Sequence, residues 1–266
     1  MTERLQKYLA RTGAGSRRQI EQWIREGRII VDGKPVTLGA KVSKGSRIVV
    51  DGKKISSGSS SNIPLQVILH HKLAGEICSR DDPKGRPTVF DRLPRLRNGR
   101  WVGVGRLDLN TTGLMLFVTD GELANRLMHP SRQIEREYSC RIRGEVSARQ
   151  IRKLSEGVIL DGQLCRSETI RVRGGRSTNR WYDVVVREGK YREVRRLWAA
   201  VDCMVSRLIR IRYGPVQLPR SLRRGASMDL DIEGVQELCD LVGISSLTPR
   251  KQTTRSNRKK MGSRRR

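Results

Sequence analysis

The sequence predicts an α+β fold in two unequal parts: a small N-terminal unit, then a larger sheet-based domain behind a flexible linker. Three observations carry this. At about 150 residues per domain, the 266 residues suit roughly two domains. Short β-prone runs and a few helical stretches follow one another in irregular order, which indicates α+β rather than a doubly wound sheet. The stretch Ser56-Ser57-Gly58-Ser59-Ser60-Ser61-Asn62 has the composition of a flexible linker. The expected division is 1–55 for the first unit, 56–63 for the linker, 64–245 for the main domain and 246–266 for a disordered tail. No internal repeat is visible.

In the first unit, Ser16 and Gln19 form a capping-box pattern ahead of Ile20, Trp23 and Ile24, which share one helix face. Gly27 stops that helix. Arg28–Val31, an Asp32-Gly33 turn and Lys34–Val36 read as a hairpin, and Arg47–Val50 closes at Asp51-Gly52. In the main domain, Leu65–His70, Trp101–Val104, Leu114–Val118, Tyr138–Arg143, Trp181–Arg187 and Leu208–Arg212 are strand candidates. Thr119 and Glu122 are expected to cap a helix running to Met128, and Val146–Gly157 and Glu193–Val201 read as further helices.

Charge narrows the partners. The chain carries a formal +28, and so basic a surface repels itself without a polyanion nearby. Residues 1–55 hold 13 Lys+Arg against 5 Asp+Glu, a balance of +8, and residues 246–266 add +9 with no acid. Taking these 17 from 28 leaves +11 for the middle, so all three parts face nucleic acid. In the first unit Arg11, Arg17, Arg18, Arg25 and Arg28 gather about the second helix and are candidate RNA contacts. No stretch approaches the ~20 apolar residues of a membrane span, and the first residues carry no apolar signal core. A cytoplasmic protein is expected.

Cofactor chemistry finds no foothold in the motifs. The five cysteines (Cys78, Cys140, Cys165, Cys203, Cys239) form no C-x-x-C pair and the three histidines do not complete a zinc site; reduced thiols and no metal are expected. Gly103-Val104-Gly105 lacks the rest of a dinucleotide fingerprint. The adjacent His70 and His71 point to opposite faces of a strand and read as structural. One segment stands out: Gly105-Arg106-Leu107-Asp108-Leu109-Asn110-Thr111-Thr112-Gly113, ahead of the apolar run Leu114–Val118.

That segment, with its continuation to Asp120-Gly121, resembles the catalytic motif of pseudouridine synthases that act on bacterial ribosomal RNA. Glu135-Arg136-Glu137-Tyr138 resembles the family's tyrosine block. Glu188–Leu197 with Val205–Gly214 resembles the block that supplies a basic partner and an apolar contact. Ser16–Ile20 and Gly27–Gly33 resemble the S4-type RNA-binding domain, whose two helices grip RNA backbone by shape. An S4-type domain joined to this catalytic domain marks one subfamily, and the likeness runs over about residues 1–245. It implies a catalytic domain with a mixed, largely antiparallel sheet. The runs Arg80–Asp91 and Asp120–Ser131 are similar to the branch acting on the large subunit. One departure is visible: the family's early K-P-x-G appears as Lys72-Leu73-Ala74-Gly75, so a proline is missing and a loosened loop is expected there.

The resemblance implies breaking the C1′–N1 bond of a uridine in 23S rRNA, turning the uracil and rejoining it through C5, with no cofactor. Asp108 would be the catalytic carboxylate. It would either add to C1′, as in retaining glycosidases, or take the 2′ proton to give a glycal. Arg195 would pair with it, with Arg196 as the competing choice. Tyr138 would stack on the uracil, Arg106 would fill the gap left by a flipped base, and Leu208 would be an apolar wall. The expected partner is 23S rRNA or a large-subunit assembly intermediate, bound by a monomer. The same chemistry on 16S rRNA, or a non-catalytic assembly factor, stays open at this point.

Overall fold

The computed structural model describes residues 2–43, 45–55, 64–176 and 179–245; the linker and tail expected at 56–63 and 246–266 lie outside them. The first unit runs β1 (Thr2–Arg4), α1 (Leu5–Thr12), α2 (Arg17–Arg25), β2 (Ile29–Val31), β3 (Lys34–Pro35), β4 (Lys41–Ser43), β5 (Ile48–Val50) and β6 (Lys53–Ile55). The Ser16–Gln19 capping box forms in both directions, and Asp32 and Asp51 turn with positive φ beside Gly33 and Gly52. Strands pair in the order β3-β2-β5-β6, with β1 against β4. Leu5, Leu9, Ile20, Ile24, Ile29, Val42, Ile48 and Val50 form a separate buried core, so this unit has the apolar centre of a domain.

The main domain comprises β7 (Val67–Lys72), β8 (Val102–Val104), β9 (Thr112–Val118), α3 (Gly121–Met128), β10 (Arg136–Arg143), α4 (Ala148–Glu156), β11 (Val158–Leu160) and β12 (Gln163–Cys165). It continues with β13 (Thr169–Arg176), β14 (Asn179–Val186), α5 (Glu193–Ala199), β15 (Met204–Tyr213), β16 (Val216–Gln217), β17 (Ser227–Asp229) and α6 (Ile232–Leu241). The main sheet is ordered β13-β14-β10-β15-β9-β7-β17, with β8 on β9 and β16 on β15. The β15–β9 pair is parallel and the other pairs are antiparallel. This is the mixed, largely antiparallel sheet that was expected.

Strand alternation gives β9 two apolar faces. Leu114, Leu116 and Val118 enter a core closed by α3 and α6. Met115 and Phe117 join Ile68, Val89, Trp101 and Leu107 on the opposite side, where the cleft opens. A second core packs α4 and α5 against β10, β14 and β15, with Tyr182 and Trp198 ring centroids 5.2 Å apart.

Two expectations need correction. Thr119 does not cap α3: its hydroxyl donates to Pro64 and accepts from Gln66 N–H. Asp120 is the cap, accepting from the N–H groups of Glu122 and Leu123, and a carboxylate there also suits the helix dipole. Nor is the Leu73–Gly75 turn loose. Leu73 N–H donates to Glu76 Oε2 at 2.9 Å and Gly75 N–H to the Leu109 carbonyl at 2.9 Å. A proline at position 73 would have no N–H to give.

Candidate active site

The site is assembled from three adjacent strands that are far apart in sequence. Tyr138 on β10 stands opposite Arg210 on β15, and Arg210 stands opposite Gly113 on β9. Gly113 has φ +106°, and a Cβ there would collide with the Arg210 backbone, so only glycine lets β9 and β15 approach so closely. A bulge between Glu137 and Tyr138 shifts the register of β10 at this row. The segment carrying Asp108 enters β9 immediately before Gly113.

These residues line a cleft of about 1240 Å³ that includes Arg106, Asp108, Tyr138, Leu208 and Arg210. Asp108 is half-buried and Arg106 exposed. Leu208 is 4 % exposed and shares its strand face with Arg210, two residues on. The apolar wall is Val89, Phe90, Leu107, Met115 and Phe117, with Phe90 and Phe117 meeting edge to face at 5.4 Å.

The backbone around Asp108 is held by two cations. Lys72, wholly buried at the end of β7, points its ammonium at a ring of carbonyl oxygens. It donates to Leu73 (2.8 Å), Asp108 (3.1 Å), Leu109 (3.3 Å) and Thr111 (2.9 Å). Asn110, the one carbonyl of 108–111 that Lys72 does not reach, accepts from Arg195 Nη2 at 3.1 Å. Thr111 N–H closes a turn onto Asp108 at 3.0 Å. All four successive carbonyls are therefore satisfied by fixed donors, which is the condition for a turn to hold one conformation inside a protein. Burial pushes the Lys72 pKa down, an effect the four carbonyl dipoles oppose by stabilising the charged form.

Arg195 differs from its expected role. It makes no ion pair with Asp108 among the described residues; it spans the carbonyls of Val205 (2.9 Å) and Asn110. Burial lowers its pKa, and its attraction to Asp108 acts in the opposite sense. It reaches the carboxylate through the loop rather than by direct contact. Arg196, the competing choice, is occupied elsewhere, bidentate to Asp161 at 2.8 and 2.6 Å.

Sequence reasoning gave no role to Lys72, Arg136 or Arg210. Arg210 is 2 % exposed and donates Nε–H to the Leu114 carbonyl at 2.7 Å, while its buried Nη2 has no hydrogen-bond partner. A buried guanidinium with a free donor on a cleft wall is suited to a substrate oxygen. It lies beside the half-buried Tyr138, whose hydroxyl pKa is raised by burial and eased by Arg210. Arg136 fastens the 187–189 loop through the carbonyls of Arg187 and Glu188. For Arg210 the signal was its place inside the β-prone run Leu208–Arg212, whereas Lys72 and Arg136 lie just outside the runs Leu65–His70 and Tyr138–Arg143.

Glu193, at the start of α5, is 5 % exposed and its Oε2 has no partner. Burial first, then the charge of Glu188, pushes its pKa up to about 7. Cys165, Glu188 and Glu193 bring their ligand atoms within 4.8 Å of one another, but the ammonium of Lys190 stands 2.6 Å from Glu188 and 3.2 Å from Cys165 and supplies the cation there. His70 and His71 are structural: Nδ1 of His70 meets Ser227 Oγ at 2.9 Å, and Nδ1 of His71 meets the Leu222 carbonyl at 3.1 Å.

The five arginines singled out in the first unit divide. Arg28 is bidentate to Asp51 at 2.7 and 2.6 Å and also reaches Glu26, and Arg11 pairs with Glu3 at 2.6 Å; both charges are met inside the unit. Arg17, Arg18 and Arg25 are exposed. Among the described residues they have no ion pair and remain open to phosphate.

Comparison with known proteins agrees with this geometry. Residues 66–200 match the RNA pseudouridylate synthase family and residues 3–48 the S4 domain. The chain is 51 % identical over 263 residues to ribosomal large subunit pseudouridine synthase B of Escherichia coli strain K12, covering 98 % of this chain and 90 % of that one. It is 49 % identical over 258 residues to the enzyme of the same name from Pseudomonas aeruginosa, covering 97 % of this chain and 67 % of that one. A crystal structure of a pseudouridylate synthase, 26 % identical, superposes with a TM-score of 0.62 over 88 % of this chain and 99 % of that one. The chain belongs to the RNA pseudouridylate synthase family and carries an S4 domain ahead of its catalytic domain.

Proposed function

We propose that the chain isomerises one uridine of 23S rRNA to pseudouridine, with Asp108 as the catalytic carboxylate. The observation that carries the reading is Asp108 itself, in the family's motif, half-buried in the cleft and mounted on a turn whose four carbonyls are all held. The relatives named for large-subunit synthase B supply the substrate class. A carboxylate in the cleft engages the ribose of a flipped uridine. The C1′–N1 bond breaks with its electron pair going to N1, the freed uracil turns, C5 bonds to C1′, and C5 gives up its proton while N1 takes one, so the product is an isomer.

Tyr138 stacks on the uracil, Leu208 walls it, and the free donor of Arg210 meets a substrate oxygen. Arg106, exposed beside Asp108, fills the gap in the RNA stack and offsets part of the few kcal/mol that flipping costs. Arg195 and Lys72 are positioning residues for the Asp108 turn. Arg17, Arg18 and Arg25 hold phosphates from the S4 domain, residues 1–55, while residues 64–245 perform the chemistry. The enzyme works in the cytoplasm as a monomer without cofactor, on 23S rRNA or an assembling large subunit. Among the described residues no helix is long and apolar enough to cross a membrane.

Tritium release from 5-[³H]-uridine-labelled rRNA tests the substrate. Release from 23S but not 16S rRNA, saturating at one site per molecule, is expected. Release from 16S rRNA alone would overturn the large-subunit assignment.

A further inference from the structure

The S4 domain and the catalytic domain meet backbone to backbone beside a group of unpaired arginines. Gly13 ends α1 in the left-handed region (φ +90°), and a Cβ on it would stand 2.8 Å from the Gly99 carbonyl oxygen. Lys7 and Glu122 add an ion pair of 3.4 Å between the same two units. The next residue after Gly99 is Arg100, half-buried, with its Nε buried and without a hydrogen-bond partner. Arg17, the first residue of α2, follows Gly13 by four residues and is exposed, close enough for its charge to act on Arg100. Arg80 completes the group, with its guanidinium 4.3 Å over the Phe90 ring and a hydrogen bond to the Trp101 carbonyl.

Among the described residues, no acid pairs with Arg17, Arg80 or Arg100. Burial, then the charges of Arg80 and Arg17, lower the Arg100 pKa. Like charges gathered from two domains repel, and partial burial strengthens that repulsion by removing solvent screening. Such a group is unfavourable in the free protein and becomes favourable around a polyanion. Planar guanidiniums match the paired oxygens of a phosphate. The neighbouring residues Ser79, Asp81 and Asp82 line the cleft, so a strand whose uridine enters the cleft passes the seam.

We propose that Arg17 of the S4 domain and Arg80 and Arg100 of the catalytic domain grip one RNA phosphate jointly, so that RNA itself ties the two domains together. This rests on the RNA-modification reading above and adds to it a composite phosphate site at the domain seam.

The test is a charge cycle on the full chain with 23S rRNA transcript, using Arg17→Met, Arg100→Met and the double variant, with Arg152→Met on the exposed face of α4 as control. Each substitution keeps an apolar stem and removes one charge. Affinity is measured from 50 to 200 mM salt. Losing one phosphate contact should cut the ratio of affinities across that range by about threefold. Each seam variant should show that cut, and the double variant should show it once. The control should not. Without RNA, Arg100→Met should also raise the low-salt Tm, because it relieves repulsion.

Two cuts in the double variant, about ninefold, would mean separate phosphates and overturn the joint grip. No cut in either single variant would overturn the site. If wild type releases no tritium from any rRNA while the cycle behaves as stated, the isomerase reading falls and the seam site stands.

Discussion

Lys72 Nζ lies 3.1 Å from the carbonyl oxygen of Asp108, and the same ammonium holds the carbonyls of Leu73, Leu109 and Thr111. Replacing it with methionine keeps the stem and removes every donor. Buried acceptors left unpaired cost about 1–3 kcal/mol each when nothing replaces the partner. The Asp108 and Leu109 carbonyls keep a backbone donor in Thr111 and Gly75 N–H, so Lys72→Met, which takes the donor from those of Leu73 and Thr111, is expected to lower unfolding free energy by about 2–6 kcal/mol in urea. At saturating RNA, kcat should fall more than tenfold while RNA affinity holds. Unchanged kcat in the folded variant would remove Lys72 from the positioning of Asp108.

Leu73 offers a test in the opposite direction. Its N–H donates to Glu76, a carboxylate 2 % exposed that also accepts from Arg92 at 2.8 Å. Leu73→Pro restores the residue that the family motif carries. Here it should destabilise by about 1–2 kcal/mol, because the carboxylate loses a donor. A rise in Tm would show that Glu76 does not depend on this bond.

Arg195 and Arg196 are adjacent and should respond differently. Arg195 spans two carbonyls, a reach that one ammonium does not reproduce, so Arg195→Lys should reduce kcat at least tenfold. Arg196 pairs with Asp161, whose side chain is 79 % exposed; pairs of this kind contribute about 0–1 kcal/mol. Arg196→Lys should leave kcat within about twofold. Equal losses in steady-state tritium release would contradict the assignment.

Glu193 ties stability to pH. Its pKa rises from 4.5 to about 7 on folding, so between these values the folded chain keeps a proton that the unfolded chain has released. Stability from this group therefore falls as pH rises from 4.5 to 7, by at most about 3 kcal/mol. Glu193→Gln should remove that decline in Tm-against-pH curves. His70, held below its ordinary 6.5 by burial, acts oppositely as pH falls below 6.5 and is common to both proteins, so the difference isolates Glu193. Parallel curves would contradict the raised pKa.

Much of this was legible in the sequence, and what was hidden has physical reasons. The Ser16 capping box, the D-G turns and the apolar run of β9 are local patterns, and they appear where the spacing puts them. Asp108, Tyr138 and Leu208 were proposed from motifs, and all three line the cleft, because each motif carries its own position. The sequence did not disclose β13, an exposed edge strand with Gly174 and Gly175 and Val172 66 % exposed, because no buried face imposes an alternation on it. Helix α6 was missed because Gly234 interrupts its first turn. The Lys72 cradle and the free donor of Arg210 depend on pairing between strands up to 97 residues apart, which no local spacing records. Arg195 was placed at the site, but its partner was misjudged: opposite charge suggested the carboxylate, and the structure gives it two carbonyls.

In the proposed mechanism Asp108 performs the chemistry while other residues hold the RNA. The most direct measurement is tritium release from 5-[³H]-uridine-labelled 23S rRNA by wild type and Asp108→Asn, with RNA affinity measured in parallel. Wild type should release tritium; the variant should bind within about threefold and release none above background even at stoichiometric enzyme. Release by Asp108→Asn at a wild-type rate would contradict that mechanism.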